Sequence, residues 1–158
     1  MVDRLARNKA LTALRRFLRC ETTNCEYELE YPLSKRESND PAIEAISTVS
    51  WSWSDDFREH KLEGKYELSP EEKEFAERCC LLLASNFEYK WRETNFIRTN
   101  GISSGHLTTL GLVQTLQSAD EMFVSHLDQP EGDASVWPFF QRDEFIAAQQ
   151  THEVVKGN

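Results

Sequence analysis

The chain has 158 residues, of which 39% are hydrophobic and 28% are charged, and its formal net charge is −9. This size and mix are typical of a soluble globular protein, and we predict a single domain over residues 1–158. The acidic balance makes nucleic acid an unexpected partner for the whole protein. No apolar run reaches the roughly eighteen residues that a membrane span needs, so we also predict no membrane span.

The first twenty residues are amphipathic, rich in arginine and poor in acids, as in a mitochondrial presequence, but they contain no serine. We interpret them as a structural first helix over residues 3–20, with Leu5, Leu11, Leu14 and Phe17 on its apolar face. A secretory apolar segment is absent as well. The predicted location is therefore the cytoplasm.

The polar side of this first helix concentrates basic charge in an otherwise acidic chain. Arg15, Arg16 and Arg19 are candidates for binding a partner, either a protein or, as a weaker hypothesis, a nucleic acid. The competing interpretation is intramolecular, because four glutamates follow at once and could neutralise the helix. They are Glu21, Glu26, Glu28 and Glu30.

The next segment alternates with a period of two. Cys25, Tyr27, Leu29 and Tyr31 would lie on one side and the glutamates on the other. Such alternation is typical of a short edge strand, here ending at Pro32.

The stretch STVSWSWSDDFREHK, residues 47–61, fits both a strand and a helix. A strand would point Trp51 and Trp53 to the same side. A helix over 41–62 would begin with Asp40 as the N-cap and Pro41 at its first position. It accounts for more apolar residues, although its many serines compete for backbone hydrogen bonds. The apolar residues on its stripe are Ile43, Ile46, Val49, Trp53 and Phe57.

The strongest helical signal begins at Ser69. Ser69 and Glu72 form a capping box around Pro70, and apolar residues then recur at three- and four-residue spacing as far as Trp91. We predict a helix over 70–94.

Two further helices are predicted over 104–127 and 138–154 from the same periodicity. The expected fold is an all-α, bundle-like domain of four or five helices. The alternative is an α+β fold with a short antiparallel sheet from residues 25–31, 48–53 and 61–68.

The cysteines and histidines suggest few metal sites. Cys79 and Cys80 are adjacent, so on a helix they point about 100° apart, and we expect free, core-facing thiols rather than zinc ligands. The remaining candidate for a thiol metal site is the pair Cys20 and Cys25. A second candidate metal site consists of Asp56, His60 and Glu63, whose spacing would place them on one face of the predicted helix. A charged, solvated face gives the same pattern, and no cofactor is predicted.

No phosphate loop, zinc-protease motif or nucleophile elbow is present, so the function is open. In the helical template Trp51 lies about 200° from Trp53, which makes it a candidate for partner binding. The competing interpretation is that Trp51 belongs to a second core layer, covered by the N-terminal helix or by the C-terminal tail. The first hypothesis is a small acidic, non-catalytic interaction protein, of adaptor, regulator or immunity type, that binds a protein partner or a second copy of itself. The alternative is a helical domain, with or without enzymatic activity, that binds a small ligand or a metal in an aromatic-lined pocket.

Overall fold

The computed structural model of the chain describes residues 1–32, 38–55, 57–91 and 132–156. These ranges contain five α-helices and no strand, which confirms the all-α prediction. The helices are α1 Arg4–Leu18, α2 Asn24–Glu30, α3 Pro41–Ser50, α4 Pro70–Ala84 and α5 Arg142–Lys156. The helix predicted over 104–127 lies outside the described residues.

Helix α1 packs against α2, α3 and α4, and α4 packs in addition against α3 and α5. Its buried face contains Leu11, Leu14 and Phe17, as predicted. The prediction was wrong at the start of the helix, where Leu5 is 83% exposed and Arg7 is fully buried. Arg7 lies one turn before Leu11, so it belongs to the same helical face.

The strand predicted over residues 25–31 is wrong, because this segment forms α2. Thr23 and Glu26 make a capping box: the Thr23 hydroxyl accepts from the Glu26 amide, and the Glu26 carboxylate accepts from the Thr23 amide. Tyr27 is buried and stacks on Phe17 of α1, with ring centroids 4.8 Å apart. The alternating sequence pattern fits a strand as well, but the capping box and the stacking of Tyr27 on Phe17 stabilise the helix.

Helix α3 begins with Asp40 and Pro41 as predicted, but it ends at Ser50 rather than at residue 62. A 3-10 turn, Trp51–Trp53, follows. The hydroxyls of Ser50 and Ser52 donate to the carbonyls three residues earlier, which is the competition that shortens serine-rich helices. Residues 48–53 and 61–68, the other strands of the α+β alternative, are not strands either.

Helix α4 has the predicted capping box at Ser69 and Glu72 but ends at Ala84, before the predicted limit of 94. Arginines from α1 bind the carbonyl groups at this end. The Arg4 guanidinium donates to the carbonyls of Leu83 and Ser85. Cationic side chains at a helix C-terminus satisfy its orphan carbonyls and favour termination there.

Helix α5 begins at Arg142 rather than at Pro138. The residues before it form a turn that is closed by a 2.9 Å hydrogen bond from the Asp133 amide to the Phe140 carbonyl. Glu144 then accepts from the Phe140 amide, as first-turn acids do. Phe139 is fully buried at the base of this turn.

A buried ion pair connects α1 and α3 with the chain that follows α4. Arg7 Nε lies 2.6 Å from Asp40 Oδ2, and Arg7 Nη2 lies 3.0 Å from Asp40 Oδ1, with both side chains at most 1% exposed. Asp40 also caps α3 by accepting from the Ala42 amide, while Arg7 donates to the Phe87 carbonyl at 2.7 Å. The start of α1, the start of α3 and the chain after α4 therefore meet at one charged pair.

Asp40 should make the protein sensitive to acid. Burial opposes its ionisation, but the hydrogen bond from Arg7, the Asp3 amide and the Arg7 charge hold the pKa of this carboxyl below its usual value. A depressed folded-state pKa stabilises the fold above the unfolded value of about 3.9, and this stability is lost as the pH falls. We expect urea midpoints to fall from pH 6 to pH 3 less steeply in Asp40→Asn than in the wild type. Parallel profiles would contradict this role of Asp40.

Candidate interaction surface

The loop that follows α3 exposes two large aromatic side chains. Phe57 is 91% exposed and Trp51 is 60% exposed, whereas Trp53 between them is 6% exposed. The two tryptophans therefore differ in burial, as the partner-binding interpretation of Trp51 expects, and the second-core-layer interpretation of Trp51 is wrong. The prediction that Phe57 belongs to the buried stripe is wrong, because α3 ends before reaching it.

Asn24, at the start of α2, fixes the backbone on both sides of Phe57. Its buried amide donates from Nδ2 to the carbonyls of Asp55, at 3.1 Å, and Arg58, at 3.2 Å. The side-chain Oδ1 accepts from the backbone amide of His60 at 2.8 Å. The backbone amide of Asn24 donates to the His60 carbonyl at 2.9 Å. One buried side chain thus satisfies three backbone groups of the loop.

His60 and Tyr66 support the same loop from within. The His60 ring is buried, with Nδ1 lying 2.9 Å from the Arg58 carbonyl oxygen and Nε2 lying 3.2 Å from the Trp53 carbonyl oxygen. Tyr66 stacks on this ring at a centroid distance of 3.8 Å. The Tyr66 hydroxyl donates to Asp55 Oδ2, while Asp55 Oδ1 accepts from the Phe57 amide. Although the Phe57 side chain is exposed, its backbone amide is therefore held by a hydrogen bond.

The geometric premise of the metal hypothesis does not hold. His60 and Glu63 lie beyond the end of α3, so no helix places them on one face, and Asp56 lies outside the described residues. His60 is turned inward, while Glu63 is exposed. In the part of the chain that the structure describes, no three His, Cys, Asp or Glu side chains are grouped as metal ligands.

The arginines proposed for partner binding all contact side chains of their own chain. Arg16 pairs with Glu30 and lies 3.9 Å from Glu21, and Arg19 lies 4.0 Å from Glu21. Arg15 lies 3.2 Å from the ring of His152 in α5. These contacts favour the intramolecular interpretation of the basic helix.

The four cysteines are free thiols. Both Cys79 and Cys80 are buried in α4, and burial raises the pKa of Cys80 to about 12. A thiol held in its protonated form is a poor nucleophile and a poor metal ligand. Cys20 is half-buried and donates to the Leu62 carbonyl at 3.3 Å, whereas Cys25 is exposed. These environments indicate structural roles for the buried pair.

The chain was compared with protein-family models, with curated protein sequences and with solved structures, and none of these comparisons gave a match. Among the described residues, no helix combines the length and the apolar character required to cross a membrane. The function is therefore inferred from the chemistry and geometry of the loop and its neighbours.

Proposed function

We propose that this chain is a small acidic, cytoplasmic helical interaction protein without catalytic activity, of adaptor, regulator or immunity type. Its binding surface is formed by Trp51 and Phe57. The observation that carries the proposal is the combination of a 91% exposed Phe57 with a loop backbone that buried Asn24 and His60 hold in place.

Exposed aromatic rings of this size suit a binding role better than a folding role. A phenylalanine in water gives up the burial free energy that would otherwise stabilise the fold, and contact with a partner would recover it. Aromatic side chains are enriched at the centres of interfaces, where a few residues account for most of the affinity. Trp51 and Phe57 have the required size and accessibility.

The order of the loop adds to affinity because binding a flexible segment costs conformational entropy. Ordering each rotamer-rich side chain at an interface costs about 0.5–1.5 kcal/mol, and ordering a loop costs more. Here the backbone on each side of Phe57 is already hydrogen-bonded before any partner arrives. The partner therefore meets a preformed aromatic surface.

The net charge of −9 favours a partner with basic residues around an apolar pocket. That partner is either another protein or a second copy of the chain. The alternative, a ligand pocket lined by Trp53 and Trp91, has less support, because both of these side chains contact other residues of the chain. Trp53 packs edge-on against Phe75, and the Trp91 indole donates to the Phe139 carbonyl.

Substituting the aromatics should weaken binding without unfolding the protein. The immobilised wild type, the Trp51→Ala/Phe57→Ala double variant and a control, Leu29→Ala, would be exposed to native cell extract. Leu29 is 86% exposed on α2, so the control also removes an exposed apolar side chain. We expect at least one protein to bind the wild type and the control but to bind the double variant roughly thirtyfold less tightly, the effect of losing about 2 kcal/mol.

Self-association is measured with the same three proteins by sedimentation across a dilution series. A wild type that dimerises while the double variant stays monomeric would identify the second copy as the partner. Identical capture by all three proteins together with identical sedimentation would contradict the proposed surface. Circular dichroism spectra that match the wild type would show that each variant remains folded.

A further inference from the structure

We propose that a second copy of this chain binds the exposed surface of α1 and α2, with α1 of each copy lying over α2 of the other. This surface shares no residue with the one formed by Trp51 and Phe57. The inference therefore goes beyond the proposed function and does not depend on it.

Helices α1 and α2 form one continuous surface, because α2 runs back along α1. Tyr27 of α2 stacks on Phe17, near the end of α1. Glu30, at the end of α2, pairs with Arg16 and borders a groove whose other residues lie nearer the start of α1. The groove is lined by Leu5, Asn8, Lys9, Thr12, Ala13 and Glu30.

Each of the two helices exposes a leucine on this surface. Leu5 lies in the groove, and Leu29 projects from α2, both being more than four-fifths exposed. Leu29 shares a helical face with Glu26 and Glu30, which are three residues before it and one after it. Covering these side chains with a second copy would recover the burial free energy that they give up in water.

The two helices carry opposite charges on this surface. The basic residues of α1 and its C-cap that face solvent are spaced by seven and three positions, which places them on one face. They are Lys9, Arg16 and Arg19, and the charged residues of α2 are Glu26, Glu28 and Glu30. A basic stripe therefore lies beside an acidic one.

Symmetry decides how two such surfaces fit together. A two-fold contact between identical chains sets the same surface of both copies face to face. If the two-fold axis crossed the helices at a right angle, α1 would lie over α1 and the arginines would face one another. An axis parallel to the groove instead lays α1 over α2 of the second copy. The charges therefore favour the second arrangement.

The axis parallel to the groove also fixes which residues meet. Arg16 and Glu30 already lie at the same level, since they pair within one chain. A rotation about this axis keeps the level of each residue, so Arg16 of one copy faces Glu30 of the second copy and the reverse contact forms as well. Leu29, next to Glu30, then packs against α1 of the second copy.

The ion pairs within each chain leave these groups able to bind a second copy. The side chains of Arg16 and Glu30 remain 42% and 37% exposed although they contact each other. The Arg19 side chain is 70% exposed and lies 4.0 Å from Glu21. A guanidinium has several N–H donors and a carboxylate has several lone pairs, so each can add a contact to the one it has.

Sedimentation of variants with exchanged charges, across a dilution series, tests this arrangement. Arg16→Glu makes both facing stripes acidic and Glu30→Arg makes both basic, so each variant alone should dimerise at least roughly tenfold more weakly than the wild type. An equimolar mixture of the two should form a mixed dimer about as readily as the wild type. The control is Arg16→Glu/Glu30→Arg in one chain, which should dimerise because opposite charges face each other again.

Three further proteins or conditions separate this surface from the aromatic one. Leu29→Ala should weaken the dimer, whereas Trp51→Ala/Phe57→Ala should dimerise like the wild type. Added salt should weaken the wild-type dimer, because it screens exposed charges. This last measurement needs no variant, and circular dichroism spectra that match the wild type would show that each variant is folded.

Several results would overturn the inference. They are a wild type that stays monomeric, a wild-type dimer that salt does not weaken, single variants that dimerise like the wild type, and a mixture that associates no better than its components. A dimer lost only in Trp51→Ala/Phe57→Ala would overturn it too, and it would identify the second copy as the partner of the aromatic surface. Failure of the partner capture would leave this inference unaffected.

Discussion

Replacing Arg7 by alanine is expected to lower the free energy of unfolding by about 3–5 kcal/mol, the usual cost of removing one partner of a buried ion pair. The substitution would leave the buried Asp40 carboxylate without its bidentate partner. It would also remove the donor that binds the Phe87 carbonyl and contacts the end of α4. Urea denaturation followed by circular dichroism measures the change.

Arg16→Ala is the matched control, because Arg16 is an arginine of the same helix whose side chain is 42% exposed and pairs with Glu30. An exposed pair of this kind contributes about 0–1 kcal/mol. A loss from Arg7→Ala no larger than that from Arg16→Ala would mean that the buried pair is not an essential connection in the fold.

Trp53→Ala should destabilise the protein by about 3–5 kcal/mol, because truncating a buried tryptophan removes burial and leaves a cavity. Its ring packs edge-on against Phe75, with centroids 6.5 Å apart. Phe75 in turn stacks on Trp137, so the cavity would open among packed aromatic rings. Thermal and urea unfolding of the purified variant measure the effect.

Trp51→Ala is the control for Trp53→Ala, and we expect it to change stability by about 0.5 kcal/mol or less, as for most exposed positions. Trp51 and Trp53 are two residues apart, so the comparison keeps the sequence context almost constant. An equal loss from both substitutions would contradict the different burial of the two rings.

The starts of α3 and α4 could be predicted because their signals are local. Asp40 followed by Pro41, and Ser69 followed by Pro70 and Glu72, each satisfy the orphan amides of a first turn within a few residues. The ends predicted for α3 and α4, at residues 62 and 94, lie beyond the observed ends at Ser50 and Ala84. In α4 the chain stops where arginines from α1 bind the last carbonyls, and a contact of that range has no local signal.

The burial of Arg7 in the core also depends on a contact that has no local signal in the sequence. Its spacing from Leu11 and Leu14 fits the buried face, but a charged residue there needs a partner. That partner, Asp40, is 33 residues away in the chain, and it already had a sufficient local explanation as a helix cap. The apolar character of Leu5 therefore favoured Leu5 for the buried face, but the structure exposes it.

Part of the candidate site was predicted from the helical geometry around Trp51. Because α3 ends at Ser50, Phe57 lies at the surface and not in the core, where the longer helix would have placed it. For the same reason His60 does not lie on the helical face predicted for it. The role of Asn24 depends on contacts with residues more than thirty positions away. One local sign was available, since Thr23 and Glu26 form a capping box that places Asn24 at the start of a helix.

The rigidity of the backbone at Phe57 and Arg58, in the loop that follows α3, can be measured most directly by nitrogen-15 relaxation of the free protein. If Asn24 and His60 hold the loop as the contacts indicate, the Phe57 and Arg58 amides should give order parameters of about 0.85, similar to those of α1. Values below about 0.6 at these two amides would show a loop that moves freely in solution and would contradict a preformed aromatic binding surface.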